Sequence, residues 1–352
     1  MNTVTRPKVS VVLCTYNRAP RLAACLDALQ NQSIDSNLYE VVVVNDGSKD
    51  NTAEILAGRD FKIITNSPNQ GLAQSRNNGA SASQADIIAF TDDDCVPHPD
   101  WLKNLLEQYS DSSVAAVGGK IIPKNTNHWL LKYYEANNPL AHVTFTYDAT
   151  TNPLYVLCQY IKRSFALRQL PDARIRLHMI VGANMSMRRS VFEATGGFDP
   201  CIKFGGEEED IWIRFRQLQP DAVLRYEPKA VVRHDYEASL KDALRRNRSY
   251  GLGAARAYFK QKDRLPVVYP FPFVVLATLL LGLLSPWLLA VFPMMVLMLY
   301  AGWIRLAVAR KHPAYLLYSA VQMTLELANS WGFIQGVVHH IWSARGARNA
   351  QA

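Results

Sequence analysis

Asp86-Ile87-Ile88-Ala89-Phe90-Thr91-Asp92-Asp93-Asp94 runs from an apolar, strand-forming segment straight into three consecutive carboxylates. Like charges set side by side repel one another unless a cation or hydrogen bonds hold them. Hard oxygen ligands suit Mg²⁺ or Mn²⁺, and magnesium is commonly held by one or two carboxylates together with substrate phosphates. The loop is therefore a candidate diphosphate anchor. The other reading is a solvated turn in which Asp94 caps the helix that Pro97, Pro99 and Trp101 introduce.

Upstream of this stretch lie three more β-branched runs, Val9–Leu13, Glu40–Val44 and Phe61–Thr65, separated by helix-like segments at Arg18–Gln30, Asp50–Ala57 and Gly71–Ser83. Nearly continuous Val/Ile runs indicate strands covered on both faces, so the chain predicts an α/β fold with a doubly wound, mostly parallel sheet. Such sheets bind ligands beyond the carboxyl ends of their strands. Here those ends read Cys14-Thr15-Tyr16-Asn17, Asn45-Asp46-Gly47-Ser48 and the three aspartates. No Gly-x-Gly-x-x-Gly follows the first strand and no Walker-type motif occurs, which argues against dinucleotide oxidoreductases and P-loop phosphotransferases.

A second acidic cluster, Gly205-Gly206-Glu207-Glu208-Glu209-Asp210, opens a helical pattern. Acids are favourable at a helix N-terminus because of its dipole. A flexible Gly-Gly also lets the backbone approach a ligand closely and aims a carboxylate as a general base requires. His234 follows an apolar pair, Val231-Val232, and a lone histidine is as compatible with structure as with ligation.

In this order the motifs resemble the inverting, GT-A fold members of glycosyltransferase family 2, over about residues 8 to 255. The matching pieces are Thr15-Tyr16-Asn17-Arg18, Val44-Asn45-Asp46-Gly47-Ser48, Asn69-Gln70-Gly71-Leu72, Arg76-Asn77, Asp92-x-Asp94, Gly182-Ala183-Asn184-Met185, Gly196-Gly197-Phe198-Asp199, the acidic motif and His234. The resemblance implies that Thr15, Tyr16, Asp46, Arg76, Asp92 and Asp93 bind a nucleotide-diphosphate sugar, with Asp46 on the base. It implies that Asp94, with Asp92 and His234, holds Mg²⁺ or Mn²⁺ on the diphosphate. The base that deprotonates the acceptor hydroxyl falls at Glu208 by family position, where the family has aspartate, and Asp210 is the competing candidate.

The chain has 352 residues, 49% hydrophobic and 19% charged, enough for a large domain with an attachment. Its net charge of +8 is uneven: from Lys241 onward 13 Lys/Arg face 3 acids, leaving 25 against 27 before it. A basic excess confined to one third argues against a nucleic-acid surface. That same third contains Leu265–Ile304, 40 residues without a charge and flanked by basic residues, which predicts a membrane hairpin with spans at 265–284 and 287–304. The stretch 312–342 predicts an interfacial or third helix. Met1–Lys8 is short and polar, and five widely spaced cysteines predict reduced thiols.

The expectation is a cytosolic glycosyltransferase domain, 1–255, on a multi-pass cell-membrane anchor, 256–352. It transfers sugar to a glycan or lipid-linked acceptor. A polyprenyl-phosphate sugar synthase and a catalytically silent sugar-binding adaptor are the alternatives.

Overall fold

The structure, a computed structural model, describes residues 6–143, 152, 155, 158, 167, 170–202, 205–260, 271–290, 292 and 299–349. Contacts divide the chain into two units: Met1–Thr146 with Leu170–Tyr236, and Tyr147–Gln169 with Glu237–Ala352.

The first unit is built on nine strands: β1 Val9–Thr15, β2 Tyr39–Asn45, β3 Lys62–Thr65, β4 Ile87–Asp92, β5 Cys95–Pro97, β6 Val114–Pro123, β7 Ile175–Leu177, β8 Asn184–Arg188 and β9 Val223–His234. The order is β3-β2-β1-β4-β8-β6-β9-β5, with β7 also on β9. All four N-terminal strands run parallel, as their Val/Ile content predicts. Alternate side chains feed two cores. Val11, Leu13, Val41 and Val43 meet Leu22, Leu26 and Trp101 on one face. On the other, Val12, Ile88 and Phe90 meet Ala73, Met185 and Trp212. Each such fully buried large side chain stabilises the fold by about 1.5–3 kcal/mol. The helix Ala19–Gln30 offers Leu22, Cys25, Leu26 and Leu29, one helical face, to the first core.

The expected mostly parallel sheet is corrected to a mixed one. β8 is antiparallel to both β4 and β6, and β5 and β7 return antiparallel beside β9, while β6 and β9 are parallel. Register fixes the site: Thr15 lies beside Asn45 and Cys14 beside Asp92, so three strands end on one edge.

In the second unit, the helix Leu240–Lys260 packs on Leu317–Asn349. A Cβ at Gly251 would come 1.9 Å from the Asn329 carbonyl oxygen, and one at Gly332 would come 1.9 Å from that of Arg248, so glycine permits the close approach. The division by contacts falls after Tyr236. Glu326 is buried there, accepting from Tyr300 Oη at 3.2 Å and from Gln322 Nε2 at 2.8 Å.

Among the described residues no helix is long and apolar enough to cross a membrane, so the structure lends the expected hairpin no support. Phe271–Gly282 has 12 residues, about 18 Å of helix against roughly 30 Å of hydrocarbon, and a turn at Leu283–Leu284 precedes the four-residue helix Pro286–Leu289. The remainder of the two proposed spans, 265–270, 291 and 293–298, lies outside the described residues.

Candidate active site

Two cation–carboxylate clusters meet at the carboxyl end of β4. In the first, β5 pairs antiparallel with β9 so that Cys95 stands opposite His234, which carries Asp94 to the histidine. His234 Nε2 is 3.1 Å from Asp94 Oδ1, and Asp94 Oδ2 accepts from Arg18 Nη1 at 3.1 Å with Arg21 Nη1 at 3.9 Å. Ligand atoms of Asp94, Cys95 and His234 all lie within 4.8 Å of one another and are buried. A carboxylate and an imidazole converging in this way fit a divalent cation, to which a diphosphate would add oxygens. Burial pushes the Cys95 thiol well above its ordinary pKa, which leaves Asp94 and His234 as the side chains that could serve a cation as ligands.

Asp93 is turned inward and accepts from Thr15 Oγ1 at 2.7 Å. Burial raises its pKa to about 7, with the neighbouring Asp94 charge adding to the shift. Thr15 and Asp93, both expected on the donor, are hydrogen-bonded to each other. Tyr16, 45% exposed at the end of β1, offers an open ring face.

Asp46 directly follows β2. Its carboxylate accepts from Asn66 Nδ2 at 2.8 Å and from the amides of Gln70 and Gly71 at 2.9 Å, which occupies three of about four acceptor positions. Its main work is to fold the 66–71 turn, and one position remains for a ligand.

The second cluster is centred on Arg76, in the helix Leu72–Ala82. Its guanidinium is 3.1 Å from Asp92 Oδ1, 3.3 Å from Glu207 Oε1 and 3.4 Å from Glu208 Oε1, with the side chain only 3% exposed. Arg76, expected on the nucleotide, is enclosed by protein carboxylates. Asp92, expected on the metal, faces Arg76 and does not join the Asp94–His234 group among the described residues.

Glu208 enters through the helix Glu207–Leu218, whose N-cap Gly206 has φ 92° and whose first turn holds all four acids. Glu208 Oε1 accepts from the Gly182 amide at 2.7 Å. A Cβ on Gly182 would lie 2.3 Å from Arg76 Nη2 and 2.4 Å from Glu208 Oε1, so only glycine lets the three groups converge. Burial raises the Glu208 pKa to about 8; Arg76 opposes the shift and Glu207 adds to it. Asp210, two residues on and fully buried, is bound by Arg214 at 2.6 and 2.9 Å, and Arg214 also donates to the Gly197 carbonyl at 2.8 Å. Through Arg214 the Asp210 carboxylate is tied to the 195–197 turn. Arg21, Cys95 and the closing role of Gly182 were missed from sequence. Only Gly182 carried a signal, as part of a recognised motif.

The family model for Glycosyl transferase family 2 matches residues 10–196. The chain is 28% identical over 260 residues to a pre-mycofactocin glycosyltransferase of Mycobacterium tuberculosis, covering 73% of this chain and 48% of that protein. It is 27% identical over 240 residues to a glucosyl-dolichyl phosphate glucuronosyltransferase of Haloferax volcanii, covering 64% and 69%. The chain thus spans about half the length of the first of these relatives. A mannosyltransferase of Pyrobaculum calidifontis, solved with GDP-Man and Mn²⁺, superposes with a TM-score of 0.57 over 94% of this chain and 88% of that one. At 19% identity that likeness is one of fold, and it matches the GT-A expectation. By the span of the family match, this chain belongs to glycosyl transferase family 2.

Proposed function

We propose that the protein is an inverting glycosyltransferase that moves a sugar from a nucleotide-diphosphate donor to the hydroxyl of a lipid-linked acceptor. The observation that carries the reading is the reach of one guanidinium, Arg76, from Asp92 at the donor edge to Glu208 on the facing helix. Donor-side and acceptor-side carboxylates are thereby held at one locus.

Tyr16 supplies a face for the base, and the 66–71 turn built on Asp46 walls that end of the pocket. Asp94 and His234 would hold Mn²⁺, which their oxygen and nitrogen donors suit at least as well as Mg²⁺. When bound, the cation neutralises charge developing on the leaving diphosphate. Glu208 takes the proton of the acceptor hydroxyl, so that oxygen attacks the anomeric carbon from the face opposite the diphosphate and configuration inverts in one displacement. Arg76 and the Gly182 amide keep the Glu208 carboxylate ionisable and aimed.

A membrane setting is part of the proposal, as attachment at the cytoplasmic face of the cell membrane and not as a crossing by the described helices. Trp331, Ile334, Val338 and Trp342 are exposed at helical spacing along Leu317–Asn349, and Leu283, Leu284 and Trp287 are exposed just after the helix Phe271–Gly282. The name of the Haloferax relative supports a lipid-linked acceptor.

The test is transfer by detergent-solubilised protein from a panel of UDP- and GDP-sugars with Mn²⁺ to polyprenyl-phosphate and polyprenyl-diphosphate-sugar acceptors, with product anomer read by NMR. Inverted product on a lipid-linked sugar is expected. Product on bare polyprenyl phosphate would favour the synthase, retained configuration would contradict the mechanism, and nucleotide binding without any transfer would indicate the adaptor.

A further inference from the structure

The two arginines beside Asp94 are more exposed than the carboxylate they face. Arg18 is 38% exposed and Arg21 25%, whereas Asp94 is 8% exposed, so the anion is fixed and the cations can leave. The backbone at Arg18 is held independently of its side chain: the Asn17 amide donates to Ser48 Oγ at 3.0 Å, and the Ala19 amide donates to Asp50 Oδ2 at 3.1 Å. Both arginines stand at the start of the helix Ala19–Gln30, whose first turn has no acid. A cation is disfavoured at that positive end of the dipole, and Asp94 offsets the cost.

We propose that Arg18 is an exchangeable partner of Asp94, pairing with the carboxylate in the free enzyme and passing to the donor's diphosphate when a divalent cation takes its place. The inference rests on the reading of Asp94 and His234 as the metal ligands. A cation arriving alone must displace Arg18 and then sit beside two guanidinium groups, a like-charge contact. A cation arriving with a diphosphate brings the anion that receives those groups. Arg18 therefore opposes the metal alone and favours metal and donor together, which is a coupling between two ligands. Arg21, 0.8 Å farther from the carboxylate (3.9 against 3.1 Å), contributes less.

Binding of Mn²⁺ is measured by the EPR signal of the free ion, for the full chain and the Arg18→Gln, Arg21→Gln and Asp94→Ala variants, with and without UDP or GDP. Arg18→Gln should bind Mn²⁺ alone about tenfold more tightly than the parent, and the enhancement of Mn²⁺ binding by diphosphate should shrink by a similar factor. Arg21→Gln should move both quantities in the same direction by less. Unchanged or weaker Mn²⁺ binding by folded Arg18→Gln, with Asp94→Ala still abolishing it, would overturn the exchange and leave the metal site standing. Undiminished binding by Asp94→Ala would remove the metal site itself and the exchange with it.

Discussion

Arg76 and Arg18 each pair with a carboxylate at the end of β4, yet one is 3% exposed among three acids and the other 38% exposed against one. Burial decides what such a pair can do. An ion pair cut off from water cannot open without stranding a charge, so it fixes geometry. A pair open to solvent gains little and can exchange partners. The site thus combines a permanent frame around Glu208 with a replaceable cation at Asp94.

The largest effect expected from this contrast is on folding. Arg76→Met leaves Asp92 and the buried Glu207 without their cation and should cost about 3–5 kcal/mol in urea unfolding. A loss below about 1 kcal/mol would mean that the cluster is not structural. Gly182→Ala forces a methyl against Arg76 and Glu208 and should cost about 1–3 kcal/mol, with transfer falling further than donor binding. Arg18→Gln should change stability by less than about 1 kcal/mol, since Arg18 is itself half-exposed and His234 and Arg21 stay beside Asp94. Equal costs for Arg76→Met and Arg18→Gln would erase the distinction.

The same burial sets a pH dependence. With its pKa raised to about 8, against about 4.3 for an ordinary glutamate, Glu208 keeps its proton in the fold where the unfolded chain has lost it. Its favourable contribution is complete below the ordinary value and is lost as pH rises through about 8. As a base it must be ionised, so transfer by the free enzyme should climb over that same interval. A kcat/KM profile with an acidic limb at an ordinary carboxylate value would contradict the buried assignment. A limb raised further in Arg76→Lys would sharpen it.

The parallel half of the sheet was legible because Val9–Leu13, Glu40–Val44 and Asp86–Phe90 are apolar runs suited to strands buried on both faces, whereas the edge strand Lys62–Thr65 is largely exposed, against that expectation. The antiparallel half was not, since β5 and β7 are three residues each and carry no alternation to read. Motif order singled out Asp94, His234 and Glu208 as candidates. The contacts that Arg76, Asp46 and Asp92 make within the fold were not legible, because what a buried charge meets depends on groups brought from afar: Glu207 is 131 residues from Arg76. The hydropathy of 265–304 measured greasiness but not where helices stop, and the described helix ends at Gly282.

The central claim is that Glu208, and not Asp210, removes the acceptor proton. Single-turnover transfer by Glu208→Gln and Asp210→Asn, each checked for fold and nucleotide binding, tests it most directly. Glu208→Gln should bind donor normally and lose transfer by about 10²-fold or more, while Asp210→Asn loses stability before rate. Near-normal transfer by Glu208→Gln beside an inactive but fully stable Asp210→Asn would contradict it.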